Sequence, residues 1–301
     1  MIAASVASSL ACLTQSVRGA DFSLVWLTLS GDPGVLMGSA LVIDEAGPSA
    51  PWLVLVHGMS QDHRIFDAQV DEFRSQCRIL LIDLPGHGLS AGIDGPFGHG
   101  EFAGHVRQRL RGHVSSPIHY WGTHTGAAAG LLIAAREPDL FASLILEGPV
   151  MPGRNVQIVV SEIERVRDIA RSKSVAAAVE AWWSNASWFD YIKAHPVECR
   201  AAEHYAIISD FGAQPWTDDR TPAPVELLPR TIEGLRIPTL IYNGETDHPD
   251  FLAEARNLSR LLPNAQRWIT PHAGGFPAWE RPSSVNAHVA KFLREHIVAP
   301  P

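Results

Sequence analysis

His124 stands in Gly122-Thr123-His124-Thr125-Gly126, where the apolar stretch Ile118 to Trp121 meets a small-residue helical pattern from Thr125 to Arg136. A strand that turns at once into a helix holds the residue at the turn with its side chain beyond the sheet, and flanking glycines let strand and helix pack closely. An imidazole in that place can act as a general acid or base, form an acyl-imidazole, or simply hydrogen-bond a ligand. Glu147 ends the apolar run Leu144-Ile145-Leu146 and is a candidate acid to orient the ring. His57 closes another such run, but the spacing of His57, His124 and Glu147 is not that of a metal site, so neither metal nor cofactor is expected.

The elements that must position these residues are short, continuous apolar runs. Trp52–Val56, Arg78–Ile82, Ile118–Trp121, Leu144–Leu146 and Thr239–Tyr242 lack polar alternation. That pattern belongs to strands buried on both faces, and the helical stretches between them make the sheet mostly parallel and covered on both sides. Ligands of such sheets bind beyond the carboxyl ends of the strands, where His57, His124 and Glu147 fall. Ahead of these runs, Phe22–Leu29 and Gly38–Asp44 bracket the turn Gly31-Asp32-Pro33-Gly34 and read as an antiparallel hairpin. From Val150 to Thr231 the alternation stops, and helical patterns cover Val156–Ser172, Val175–Trp183 and Pro196–Ile208. Aromatic residues scattered there, among them Trp182, Trp183, Trp188 and Trp216, fit core packing between helices and, as a group, an apolar substrate cavity. The proline-rich piece Thr221–Pro229 reads as the return to the sheet.

Composition removes several function classes. A net charge of −8 argues against a polyanionic partner, and the basic run Arg107 to Arg111 has helical spacing that fits a solvated face. No apolar stretch approaches the roughly 18 residues of a membrane span. Three cysteines, Cys12, Cys77 and Cys199, lie far apart without a paired spacing, which fits a reducing compartment. The cytoplasm is the expected location; secretion through the apolar residues 1–20 is the alternative, though no basic residues open them.

Four motifs in this order resemble the α/β-hydrolase fold over nearly the whole chain. Leu53-Val54-Leu55-Val56-His57-Gly58 resembles the family's strand followed by H-G, and Ile82 to Ser90 is similar to its D-x-P-G-x-G-x-S loop. Pro238 to Asp247 resembles the late strand that delivers the triad acid, and Phe276 to Pro282, with the helix ending Lys291 to Arg294, resembles the segment after the catalytic histidine. The resemblance implies a mostly parallel eight-stranded sheet with helices on both faces, residues 1–149 and 232–301 as the core, and a helical lid at 150–231. It also implies oxyanion donors at the backbone amides of Met59 and Thr125, an acid at Asp247 or Glu147, and a serine at the elbow tip. His124 occupies that tip, and the place of the family histidine falls on Gly275, with His272 three residues earlier.

The expectation is therefore an α/β-hydrolase-fold enzyme acting on an ester or other carbonyl bond of a small apolar substrate, with His124 and a carboxylate replacing the usual triad. His57, Trp183 and Trp188 are expected to line the substrate. Two alternatives stay open: a ligand-binding protein of the same fold, and a lyase, decarboxylase or cofactor-free oxygenase needing a base but no nucleophile. No nucleic acid or membrane partner is expected, and a homodimer is left open.

Overall fold

A computed structural model describes residues 40–114, 117–225 and 227–296. Seven strands form one sheet in the order β1-β3-β2-β4-β5-β6-β7. These are β1 (Ala40–Ile43), β2 (Trp52–Val56), β3 (Arg78–Ile82), β4 (Ile118–Thr123), β5 (Phe141–Glu147), β6 (Thr239–Gly244) and β7 (Ala265–Thr270). Among the described residues, only β1 runs antiparallel, against β3; every other pairing is parallel. The eighth expected strand, Phe22–Leu29, lies outside the described residues, and the second arm of that hairpin is β1, paired with β3.

The five runs without alternation are all strands, and β2 is buried at every position. Residues of odd parity in β2, such as Leu53 and Leu55, join one core with Phe66, Phe73, Val289 and Phe292, while Val54 and Val56 join the other with Phe102, Val106 and Leu131. Both faces of each central strand are thus removed from water, worth about 1.5–3 kcal/mol per large apolar side chain. Strand β7 was not legible in this way. It is an edge strand with exposed Gln266 and Arg267, so its sequence, Ala-Gln-Arg-Trp-Ile-Thr, carries no continuous apolar run.

Helices α1 (Asp67–Phe73), α2 (His99–His113) and α3 (Thr125–Ala134) alternate with the early strands. Between β5 and β6 lie α4 (Gln157–Ser172), α5 (Val175–Asn185), α6 (Asp190–Ala194), α7 (Ala201–Ser209), α8 (Gln214–Thr217) and α9 (Pro229–Glu233); α10 (Pro249–Leu261), α11 (Pro277–Glu280) and α12 (Pro282–His296) follow. The helical patterns at Val156–Ser172 and Val175–Trp183 correspond to α4 and α5; that at Pro196–Ile208 becomes a turn followed by α7, after Arg200 takes a left-handed backbone. Side chains of the intervening helices, including Trp182, Trp188, Phe189 and Ile207, pack into the same core as Trp121 and Tyr242 of the sheet. This places their inner surface directly above the carboxyl ends of β2, β4 and β5.

Candidate active site

The site begins at the turn from β4 into α3. His124 has φ 45° and ψ −105°, a conformation that an L-residue rarely adopts and that costs of the order of 1–3 kcal/mol. Its surroundings leave no slack: a Cβ at Gly126 would lie 2.2 Å from the Val56 carbonyl oxygen, and one at Gly122 would lie 2.6 Å from the backbone of Gly126. The His124 amide donates to the Glu147 carbonyl at 2.8 Å, locking the turn to the end of β5.

The imidazole itself is held on three sides. Nε2 lies 2.9 Å from the carbonyl oxygen of Gly275, and the ring meets Phe251 and Phe276 edge-on at centroid distances of 5.2 and 5.0 Å. A carbonyl can only accept, so Nε2 carries the proton and Nδ1 keeps its lone pair in the neutral ring. Burial lowers the pKa to about 4, with the Gly275 carbonyl opposing the shift, so the ring is neutral at pH 7.

His124 lines a cavity of about 510 Å³, open between the sheet and the intervening helices. Met59 and Thr125 line it too, and among the described residues neither amide donates to another group. Thr125 is the first residue of α3, where amides have no partner inside the helix. The Met59 loop is braced from both sides. Ser60 N–H donates to His87 Nε2 at 3.1 Å, and Leu84 N–H donates to His57 Nε2 at 3.0 Å while the opposite nitrogen of His57 donates to Gly58 O at 2.7 Å. His57 is therefore a loop organiser, fully buried and not in the cavity wall, which corrects its expected contact with substrate.

The carboxylates are elsewhere than at the ring. Glu147 accepts from the Ala278 amide at 2.8 Å and from the Tyr242 hydroxyl, which itself accepts from Trp121 Nε1 at 2.8 Å. Burial pushes Glu147 up to about 8. Asp247, pushed by burial to about 7, accepts from Asn243 Nδ2 and from the His248 amide; it lines a second, smaller cavity with Tyr191 and Gly274. Neither carboxylate touches the His124 imidazole. His272 is exposed, its amide bound to Glu245 and its carbonyl to Arg281, so it is not brought to His124.

No side chain fits where the family histidine would stand. A Cβ on Gly275 would lie 2.6 Å from the Trp188 carbonyl oxygen and 2.8 Å from Trp188 Cβ. Trp188 lines the cavity, but Trp183 does not; its ring packs at a tilt against Phe189, His204 and Tyr205, and its neighbour Trp182 faces the cavity instead. One residue along a helix rotates the side chain by about 100°, enough to exchange the two roles. Trp182 also donates from Nε1 to Ser60 Oγ at 2.8 Å, joining α5 to the Met59 loop.

Three further residues contribute, of which the sequence pointed only to Trp216, as one of an aromatic group. Glu280 accepts from the amides of Gly274 and Phe276 and so fixes the peptide whose carbonyl meets His124. Trp216 and Arg167 line the cavity. Arg167 had a signal: Val159, Val160 and Ile163, at helical spacing, share its face of α4.

Comparison with known proteins agrees with this architecture. Residues 51–185 match the family model described as alpha/beta hydrolase fold. A 2-succinyl-6-hydroxy-2,4-cyclohexadiene-1-carboxylate synthase from Citrobacter koseri is 34% identical over 103 residues, covering 34% of this chain and only 39% of that protein. A 2-(acetamidomethylene)succinate hydrolase from Mesorhizobium japonicum is 25% identical over 240 residues, covering 75% of this chain and 81% of that protein. Among solved structures, MenH from S. aureus superposes with a TM-score of 0.73 at 19% identity, covering 85% of this chain and 98% of that one. The chain has the α/β-hydrolase fold.

Proposed function

We propose that the chain is an enzyme that attacks the carbonyl carbon of a small, largely apolar substrate, with His124 as a neutral base in place of serine. The observation that carries this reading is the placement of the His124 imidazole, at a strained elbow tip, in the wall of an apolar cavity beside two unengaged amides. The amides of Met59 and Thr125 serve as oxyanion donors, each worth about 3 kcal/mol to developing charge in a dry site. Nδ1 accepts a proton from water as it adds to the carbonyl, and the Gly275 carbonyl holds the resulting imidazolium through Nε2–H. Gly275 thus does for His124 what a carboxylate does for the base of an ordinary triad. A ring with a pKa near 4 is a weak base. It suits bonds with good leaving groups, such as activated esters and enol esters. The relatives' names, one a hydrolase and one a synthase, fit carbonyl chemistry with or without water.

A second reading, a binding protein without turnover, has one observation in its favour: Trp188 occupies the space that a side chain at Gly275 would need, so no histidine can stand at the place where the family resemblance puts one. A series of nitrophenyl esters with lengthening acyl chains separates the two. Nitrophenolate release that is catalytic over many equivalents supports the enzyme; saturable ester binding with no release supports the binding protein.

A further inference from the structure

The cavity is apolar over most of its wall, yet its charged lining is of one sign. Arg154 and Arg167 line it, and no aspartate or glutamate does so among the described residues, in a chain of net charge −8. Arg154 has a partner, Glu254, at 3.3 Å. Arg167 has none: no carboxylate of the described residues lies within ion-pairing distance, and its one hydrogen bond goes from Nη2 to the Pro215 carbonyl at 3.3 Å. Its Nε is buried without a partner. Pro215 precedes Trp216, whose Nε1 is likewise buried without a partner and whose side chain lines the same cavity.

A buried donor left without an acceptor costs about 1–3 kcal/mol, and more when it is charged. Arg167 is therefore a cation without a counter-ion on an otherwise apolar wall, the place in the cavity suited to an anionic acceptor. The guanidinium fork matches the plane and charge of a carboxylate. Val159, Val160 and Ile163, on the same face of α4 as Arg167, give the apolar surface leading away from it toward the rest of the cavity.

We propose that the cavity binds an apolar acid, its carboxylate held by Arg167 and its hydrocarbon body lying along α4 toward His124. This rests on the reading that the cavity is the ligand site and refines its substrate from an apolar molecule to an apolar carboxylate. The apolar body supplies contact area; the carboxylate fixes which end enters and therefore which bond reaches His124.

The test is calorimetric binding of 3-phenylpropanoate and its neutral match, 3-phenylpropanamide, to the full chain, to Arg167→Gln and to His124→Ala. The acid is expected to bind the unaltered chain at least 10-fold more tightly than the amide. Arg167→Gln is expected to abolish that preference while amide affinity stays, which shows that the variant is folded. His124→Ala is expected to keep the preference, so a catalytic role for His124 can fail without touching this result. Equal binding of acid and amide, binding of neither, or a preference that survives Arg167→Gln would each overturn the proposal. Phenyl phosphate bound more tightly than the acid would overturn the carboxylate assignment.

Discussion

His124 joins two features that rarely coincide: a backbone held at φ 45° and an imidazole whose protonated form is disfavoured by burial. The frame around it was legible, because a sharp turn from an apolar strand into a small-residue helix needs glycines where Gly122 and Gly126 stand. Its partners were not. Glu147 is next to His124 through backbone only, its carboxylate turned to Ala278, and that direction is set by Tyr242 and α11 rather than by anything near it in sequence. Likewise the loss of the histidine at Gly275 is coupled to Trp188, more than 80 residues earlier in the chain. The pKa of His124 gives a prediction at this scale. The base form persists down to a pH near 4, so the rate that depends on it falls only as pH drops through about 4, and not through the 6.5 of a free imidazole. Initial rates with a nitrophenyl ester between pH 4.5 and 7, corrected for the pH-dependence of the chromophore, should be level; a half-maximum near 6.5 would mean that the ring is solvated and unshifted.

At the scale of elements, the strands were readable wherever both faces are buried, and β7 was missed because an edge strand need not be apolar. The helical segment after β5 was readable as helices, but which of its tryptophans faces the cavity depends on helix rotation, and sequence alone put Trp183 where Trp182 stands. Trp182 matters beyond its area, since Nε1 connects α5 to Ser60, next to the amide of Met59. Trp182→Phe keeps most of the ring packing and removes that hydrogen bond. We expect a loss of about 1–3 kcal/mol of stability from the missing bond and the smaller ring, together with weaker ester turnover. Thermal unfolding and ester kinetics of the same preparation check this; unchanged turnover would show that the Met59 loop holds its place without α5.

For the whole molecule, buried titratable groups set a pH of greatest stability. Burial raises Glu147 and Glu280 to about 8 and Asp247 to about 7, so the folded chain holds protons that unfolded carboxyls release near pH 4–4.5. Their contribution is present at low pH and is lost as pH rises toward 8. Burial lowers His87 and His204 to about 3 and His105, His119 and His124 to about 4. Unfolded imidazoles take up protons below 6.5 that these refuse, so this contribution is present above 6.5 and is lost as pH falls toward 4. These five histidines outweigh the three carboxyls below 6.5; above it the carboxyls act in the same direction as His63, whose pKa, in spite of burial, is raised by Asp83. The melting temperature should therefore peak near pH 6.5 and decline toward pH 8, with Glu280→Gln lower overall but declining less steeply. A melting temperature still rising at pH 8 would contradict this balance.

The central claim is that the imidazole at the elbow does the chemistry, and the most direct test is turnover of the nitrophenyl ester series by the unaltered chain, His124→Ala and His124→Ser. Loss of a positioned general base costs about 100- to 10,000-fold, and a serine at the tip would have no histidine at position 275 to activate it, because Trp188 leaves no room for a side chain there. Both variants should fold, with melting temperatures within a few degrees of the unaltered chain, and both should be inactive. Turnover by His124→Ala at the unaltered rate would show that the chemistry lies elsewhere, and activity in His124→Ser would mean that another base reaches the elbow.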